Sequence, residues 1–122
     1  MNINETAKAI HSINVDKGFW EKPRNKGELL MLVVSELSEA LEADRKSHYS
    51  SNRLSEITAL ASDEDFNIEF SNHIKDTFED EIADAVIRLF DMSAGLGIDL
   101  ESHIEAKLRY NANRPKMHGK KY

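Results

Sequence analysis

Hydrophobic residues recur at helical spacing in four stretches of the chain, and no stretch of convincing length alternates as a β-strand does. Asn25 and Asp99 stand where N-caps of the second and fourth helices are expected, because each is followed by apolar positions at helical spacing. A polar segment, residues 47–72, separates the second helix from the third and is predicted to hold a short helix near residues 54–61. The four main predicted helices cover about residues 3–14, 25–46, 73–94 and 100–114.

The connections between these helices decide the predicted fold. Three of the helices are joined by short segments, and short connections make consecutive helices antiparallel neighbours. The sequence therefore predicts an all-α fold, a four-helix up-and-down bundle with a polar insert between its second and third helices. A length of 122 residues fits one domain over residues 1–122. Because only 40% of the residues are hydrophobic, the core is thin, and packing onto a second subunit would add burial.

Composition and charge exclude several classes of protein. The net charge of −6 argues against a general nucleic-acid binder. No run of 18 apolar residues is present, so no membrane span is expected, and the first residues do not resemble a secretory signal. The absence of cysteine excludes disulfides and thiolate metal sites. These features favour a cytoplasmic protein with no nucleic-acid or membrane partner.

Two acidic residues of the second helix lie in unusual positions. When the helix is advanced by 100° per residue, Glu36 falls inside the apolar arc and Glu39 lies at its margin. Burial of an unpaired carboxylate costs several kcal/mol, so a core-facing glutamate needs a compensating partner. The apolar arc consists of Leu29, Leu30, Leu32, Val33, Val34, Leu37, Ala40 and Leu41.

The third helix carries a second acidic pair, Glu81 and Asp84, at the edge of its apolar face. Two such pairs on facing helices would place four carboxylates around a small volume, where they repel one another unless a hard cation neutralises them. Oxygen ligands suit Mg²⁺ or Mn²⁺ and not Zn²⁺. The alternative is a surface ladder of ion pairs in which Arg88 pairs with Asp84 and Asp91.

The fourth helix offers the complementary charge. Lys107, Asn111 and Arg114 follow the same stripe as its apolar positions or border on it. Beside a metal cluster they would suit the binding of a polyphosphate whose oxygens the metal bridges. Alternatively, Lys107 and Arg114 neutralise the carboxylates directly, and then no metal is bound. The predicted inward face of this helix consists of Leu100, Ile104 and Leu108.

The acidic motifs and the closing helix together resemble a known family. Ser35–Leu41 and Glu81–Val86 resemble the Glu-x-x-Glu and Glu-x-x-Asp motifs of MazG-like all-α nucleotide pyrophosphohydrolases, and Gly97–Leu100 and Lys107–Pro115 resemble that family's last helix. The resemblance implies an enzyme that hydrolyses a nucleoside triphosphate to the monophosphate and pyrophosphate. It also implies Mg²⁺, with Mn²⁺ as a substitute, and a homodimer or homotetramer. The implied metal ligands are Glu36, Glu39, Glu81 and Asp84.

The resemblance also assigns roles beyond the metal. The base would be met by Trp20 and Phe19, and the alternative for Trp20 is an anchor in the core or in an interface. In the mechanism that the charges of the site favour, Glu39 orients or deprotonates the attacking water. Two departures are the replacement of a common family glutamate by Ser35 and the 41 residues between Glu39 and Glu81. Related activities on dUTP or phosphoribosyl-ATP stay open, as does a non-catalytic helical protein whose acids are neutralised by Arg88 and Lys107. The implied phosphate ligands are Lys107, Asn111, Tyr110 and Arg114.

Overall fold

The computed structural model describes residues 2–122, apart from the side chain of His118. The described residues form helices and no strand, so the predicted all-α class is confirmed. A short 3₁₀ helix, Lys116–Gly119, follows the last α-helix. The α-helices are α1 (Ile3–Asp16), α2 (Lys26–Arg45), α3 (Leu54–Thr58), α4 (Asp63–His73), α5 (Phe78–Gly95) and α6 (Leu100–Ala112).

The chain divides into two compact units. The first contains the residues up to Lys22 together with Phe90–Tyr122, and the second contains Pro23–Leu89. α1 and α6 therefore belong to the first unit and α2, α3 and α4 to the second, while α5 contributes residues 78–89 to the second and 90–95 to the first. No described helix is both long enough and apolar enough to cross a membrane.

Side-chain hydrogen bonds join the beginnings of α1 and α6 in the first unit. The backbone N–H of Ile3 donates to Glu101 Oε1 at 2.9 Å, and Asn4 Nδ2 donates to Asp99 Oδ1 at 2.8 Å. Asp99 also accepts from the backbone N–H of Ser102 at 3.1 Å, which confirms its predicted place as the N-cap. The first turn of α6 is thus held both by its own cap and by α1.

α2 begins where the sequence predicts. The side chain of Asn25 accepts from the backbone N–H of Glu28 at 2.8 Å and so caps the helix. The apolar arc predicted for this helix is wider than the face that the chain covers, because Leu30, Leu37 and Leu41 are each about half exposed. The buried residues of α2 are Leu29, Val33, Glu36, Ala40 and Ala43.

The segment between α2 and α5 holds more helix than the sequence predicts. The short helix expected near residues 54–61 is present as α3, but α4 was not expected. Its signal is the N-cap Ser62, whose Oγ accepts from the backbone N–H of Asp65 at 3.1 Å. Ile57 of α3 is almost fully buried.

The third predicted helix begins later than predicted, at Phe78 instead of residue 73. The backbone at Asp76 has a φ of +63°, which a helix does not accommodate. The hydroxyl of Thr77 accepts from the backbone N–H of Asp80 at 3.3 Å and donates to the carbonyl of Ile74 at 2.6 Å. These contacts end α4 and start α5 as separate helices, so the prediction of one helix from residue 73 was wrong.

Candidate metal centre

Three glutamates of the second unit lie together. Glu36 and Glu39 are one turn apart on α2, and Glu81 lies in the first turn of α5. Each offers a carboxylate oxygen, and these oxygens all lie within 4.8 Å of one another. Glu36 and Glu81 are buried whereas Glu39 is exposed, so solvent reaches the cluster at Glu39. Three of the four ligands predicted from the sequence are therefore brought together.

Glu81 is the most buried acid of the cluster, with 4% of its surface exposed. Its Oε2 is buried and has no hydrogen-bond partner among the described residues. Burial raises the pKa of Glu81 to about 8, together with contacts to the carboxylates of Glu39 and Glu36, which are hydrogen bonds when Glu81 is protonated, and repulsion from Glu39 and Asp84. A carboxyl group with these surroundings either holds a proton or needs a cation.

Glu36 has a different environment, although it is also buried as its place in the apolar arc predicts. Arg88 of α5 donates from Nε to Glu36 Oε1 at 2.7 Å. Burial alone would raise the pKa of Glu36, but the hydrogen bond and charge of Arg88, with the hydrogen-bonding contacts to Glu81 and Glu39, lower it overall. Glu36 is therefore held as a carboxylate.

Asp84, the fourth predicted ligand, lies outside the group of three. It is half-buried on α5, one turn beyond Glu81. Its pKa is raised by burial and by repulsion from Asp80, Glu36 and Glu39, which the charge of Arg88 opposes in part. Asp84 is thus repelled by the charges of Glu36 and Glu39, but it is not one of the three clustered glutamates.

A pocket of about 370 Å³ is lined by Glu39 and Glu81. Two of its other side chains, Lys46 and His48, are basic, and the sequence analysis assigned a role to neither. His48 lies in the turn after α2, where its carbonyl accepts from the backbone N–H of Phe78 at 2.9 Å. The remaining lining residues are Glu42, Ala43 and Asp76.

The predicted phosphate ligands lie in the first unit, on α6 and just after it. Two cations lie over the ring of Tyr110: Lys107 Nζ is 5.1 Å and Arg114 Cζ is 5.4 Å from its centroid. The backbone carbonyl of Asn111 accepts a hydrogen bond from the backbone N–H of Arg114 at 3.2 Å. The structure thus brings together Lys107, Tyr110 and Arg114 as one stacked group.

The second half of α6 is covered less than its apolar spacing predicts, although Asn111 and, just after the helix, Arg114 are half-buried. Lys107 is exposed, Leu108 is 56% exposed, and no described residue of α6 is fully buried. Leu100 and Ile104 are half-buried, because α1 packs on the beginning of α6. The apolar spacing identified a face of the helix, but not how far along the helix that face is covered.

The two predicted base contacts lie in the connector after α1. Phe19 is 58% exposed, whereas Trp20 is half-buried and donates from Nε1 to both carboxylate oxygens of Asp91 at 3.1 Å. His11 Nδ1 lies 2.7 Å from Asp91 Oδ1, and its ring meets that of Trp20 edge to face at 4.8 Å. Trp20 therefore has a structural role in the first unit, which the sequence analysis held open beside base binding.

The donor set of the cluster agrees with a hard divalent cation. Glu36, Glu39 and Glu81 offer oxygen atoms alone, which Mg²⁺ and Mn²⁺ prefer. The buried Oε2 of Glu81 is an oxygen atom that could bind a metal ion, and it forms no hydrogen bond with a described residue. The residues present therefore fit such an ion.

Comparison with known proteins adds no relative. No protein-family model matches the chain, and neither a curated protein nor a solved structure matches it. The MazG-like resemblance stays a prediction drawn from the motifs.

Proposed function

We propose that this protein is a magnesium-dependent nucleoside triphosphate pyrophosphohydrolase of the MazG-like type, which releases the monophosphate and pyrophosphate. The observation that carries the proposal is the unsatisfied buried oxygen of Glu81 within a group of three glutamates. The four-helix up-and-down bundle, the single domain over residues 1–122, the cytoplasmic location and Mn²⁺ as a substitute ion belong to the same proposal.

In this proposal the acidic residues have distinct roles. Glu36, Glu39 and Glu81 would hold the cation, and Asp84 would add negative charge beside them. The divalent ion supplies Lewis-acid polarisation of the phosphate and of a water molecule. Glu36 stays ionised because Arg88 is bonded to it. Glu81 would have to lose its proton to serve as a ligand.

Glu39 is the residue proposed to act on the attacking water. It is exposed, whereas the other two glutamates of the cluster are buried, so its carboxylate is open to solvent and substrate. Glu39 accepts a proton from water as the water oxygen bonds to the α-phosphorus. The bond from that phosphorus to its bridging oxygen breaks, and pyrophosphate leaves. The roles of Lys107, Asn111, Tyr110 and Arg114 toward phosphate, and of Trp20 and Phe19 toward the base, stay predictions.

An uncovered apolar face of the second unit supports the proposed homodimer or homotetramer. On α2 the face is a stripe at helical spacing, and each of its four side chains is 45–50% exposed. A second copy of the chain would remove this surface from water. The stripe consists of Leu30, Val34, Leu37 and Leu41.

The contact between Arg88 and Glu36 favours a second candidate function, a non-catalytic helical interaction protein. In such a protein Arg88 neutralises part of the cluster, Glu81 stays protonated, and no ion is bound. Pyrophosphate release from a panel of nucleoside triphosphates, dUTP and phosphoribosyl-ATP, measured with Mg²⁺ and with EDTA, separates the two candidates. Release that needs Mg²⁺ supports the enzyme and ranks its substrates. Absence of release from every substrate contradicts it.

A further inference from the structure

Arg88 contacts the acidic cluster through only part of its guanidinium group. Its Nε donates to Glu36 Oε1, and no hydrogen bond from its two terminal amino groups to a described residue is present. The side chain of Arg88 is 38% exposed, whereas that of Glu36 is 11% exposed. The Nε edge of the guanidinium is therefore fixed, and the terminal amino groups keep their donor hydrogens in a side chain that is partly exposed.

This contact differs from one built for neutralisation alone. An arginine that only balances a carboxylate gains most from two parallel hydrogen bonds, one to each oxygen. Here a single hydrogen bond fixes the group, and four donor hydrogens on the terminal amino groups are left for another acceptor. Phosphate oxygens match the planar fork of arginine in the same two-point manner.

The charge of the cluster gives a reason for such a group at this place. Glu81, Asp84 and Arg88 are spaced at i, i+3 and i+7, so all three lie along one face of α5. Four carboxylates exceed the charge of one divalent ion, and the remaining negative charge repels a polyphosphate. Arg88 contributes a positive charge in direct contact with the cluster.

We propose that Arg88 is an oxyanion-binding residue of this site, and that its terminal amino groups bind phosphate oxygens of a ligand that reaches the cluster. The inference deepens the proposed function, on which it rests, by naming a residue of the second unit that contacts the polyphosphate. Glu36 acts here as a positioning residue for Arg88 as well as a cation ligand. From the sequence, Arg88 was expected only as an ion-pair partner, either in a surface ladder with Asp84 and Asp91 or as a neutralising charge beside the acidic cluster.

The test uses inorganic pyrophosphate as the probe, titrated into the full chain in the presence of Mn²⁺. We expect Arg88→Gln to weaken pyrophosphate binding at least tenfold and to leave the affinity for Mn²⁺ alone unreduced, because the removed group is positive. Arg88→Lys keeps the charge and the pairing with Glu36 but lacks the fork, so it should fold as the parent does and still bind pyrophosphate more weakly. Arg53→Gln is the matched control, since Arg53 pairs with Glu56 and Glu69 and should leave the binding unchanged.

Two results would overturn the inference. Pyrophosphate binding that is equal within twofold in the parent, Arg88→Lys and Arg88→Gln would mean that Arg88 only balances Glu36. A parent chain that does not bind pyrophosphate with Mn²⁺ would also reject it. Failure of the proposed function looks different: the parent binds pyrophosphate and Arg88→Gln does not, yet no triphosphate is hydrolysed. If the parent is active, the inference further predicts a higher KM for the two Arg88 variants.

Discussion

Glu36 and Glu81 are buried carboxyl groups on two different helices, and their pKa values are shifted in opposite directions. Arg88 and the neighbouring carboxyls lower the pKa of Glu36 against its burial, whereas burial raises the pKa of Glu81 to about 8. Near neutral pH the pair of carboxyl groups therefore carries one proton. Glu81 is the protonated group and Glu36 is ionised. This arrangement gives the cluster one fixed charge and one that depends on pH or on an added cation.

The raised pKa of Glu81 predicts a pH dependence of stability in metal-free buffer. In the unfolded chain Glu81 titrates near its ordinary pKa of 4.5, and in the folded chain at about 8. Between these values the folded state binds the extra proton, so this contribution is complete below 4.5 and is lost as the pH rises through 8. The side chain of Glu81→Gln is a neutral amide at every pH, so this variant does not lose stability in this way as the pH rises. We expect its melting temperature to exceed that of the parent by several degrees at pH 9 and to approach it at pH 5.

The measurement is thermal unfolding by circular dichroism with EDTA across that pH range. Glu105→Gln, an exposed change on α6, is the control and should follow the parent at every pH. A constant difference between the parent and Glu81→Gln from pH 5 to pH 9 would show that Glu81 is ionised in the folded state throughout.

Glu39 is predicted to be needed for turnover and not for folding. Its side chain is exposed, and removal of its charge relieves repulsion on Glu81, so in metal-free buffer Glu39→Gln should fold and unfold at no lower temperature than the parent. Loss of the group that accepts the proton of water should lower kcat by about 100-fold or more. Coupled-enzyme detection of pyrophosphate gives the rate, with Glu105→Gln again as the control. Full turnover by Glu39→Gln would remove Glu39 from the mechanism.

Gly95 is predicted to be required for the packing of Trp20. A Cβ at this position would lie 2.6 Å from Trp20 Cη2, which is too close, and 3.0 Å from His11 Cε1, which is a tight contact. We expect Gly95→Ala to lower the free energy of unfolding by about 1–3 kcal/mol, as measured by urea denaturation. Gly27→Ala is the control: its nearest neighbour is Asn25 Oδ1 at 3.4 Å, and alanine favours the helix. Equal stability of the two variants would contradict the close packing.

The uncovered stripe on α2 predicts self-association. Leu37 is 47% exposed in the single chain, and a glutamate there would face the apolar surface of a second copy. We expect light scattering after gel filtration to give a dimer or tetramer for the parent and a monomer for Leu37→Glu. Ile13→Glu, at a residue of α1 that is 58% exposed, should keep the mass of the parent. A parent that is monomeric at high micromolar concentration would contradict the proposed assembly.

The features that the sequence predicted well are local. The caps at Asn25 and Asp99 depend on residues within one turn, and each is confirmed by a hydrogen bond. Glu36 is identified as buried because its apolar neighbours on the same helix define the face it lies on. Local spacing is therefore enough to predict the helices, the residues at which they begin, and the burial of an acidic side chain on an apolar face.

The features that the sequence missed depend on contacts between distant residues. Arg88 has Asp84 and Asp91 nearby on its own helix, yet it bonds Glu36, which lies 52 residues away. The burial of Glu81 depends likewise on the residues packed around it and exceeds what its place at the helix edge predicts. Lys107 shows the opposite error, since an apolar stripe shows which face can be covered and not whether it is covered.

The most direct test of the central claim is isothermal titration calorimetry of Mg²⁺ and Mn²⁺ into the purified chain. Three clustered glutamates with an unsatisfied buried oxygen predict saturable binding of the ion, which Glu81→Gln weakens strongly and Glu105→Gln leaves unchanged. The account predicts proton release on binding near pH 7, because Glu81 loses its proton to become a ligand. A parent chain that binds neither ion, with or without a nucleoside triphosphate present, would contradict it.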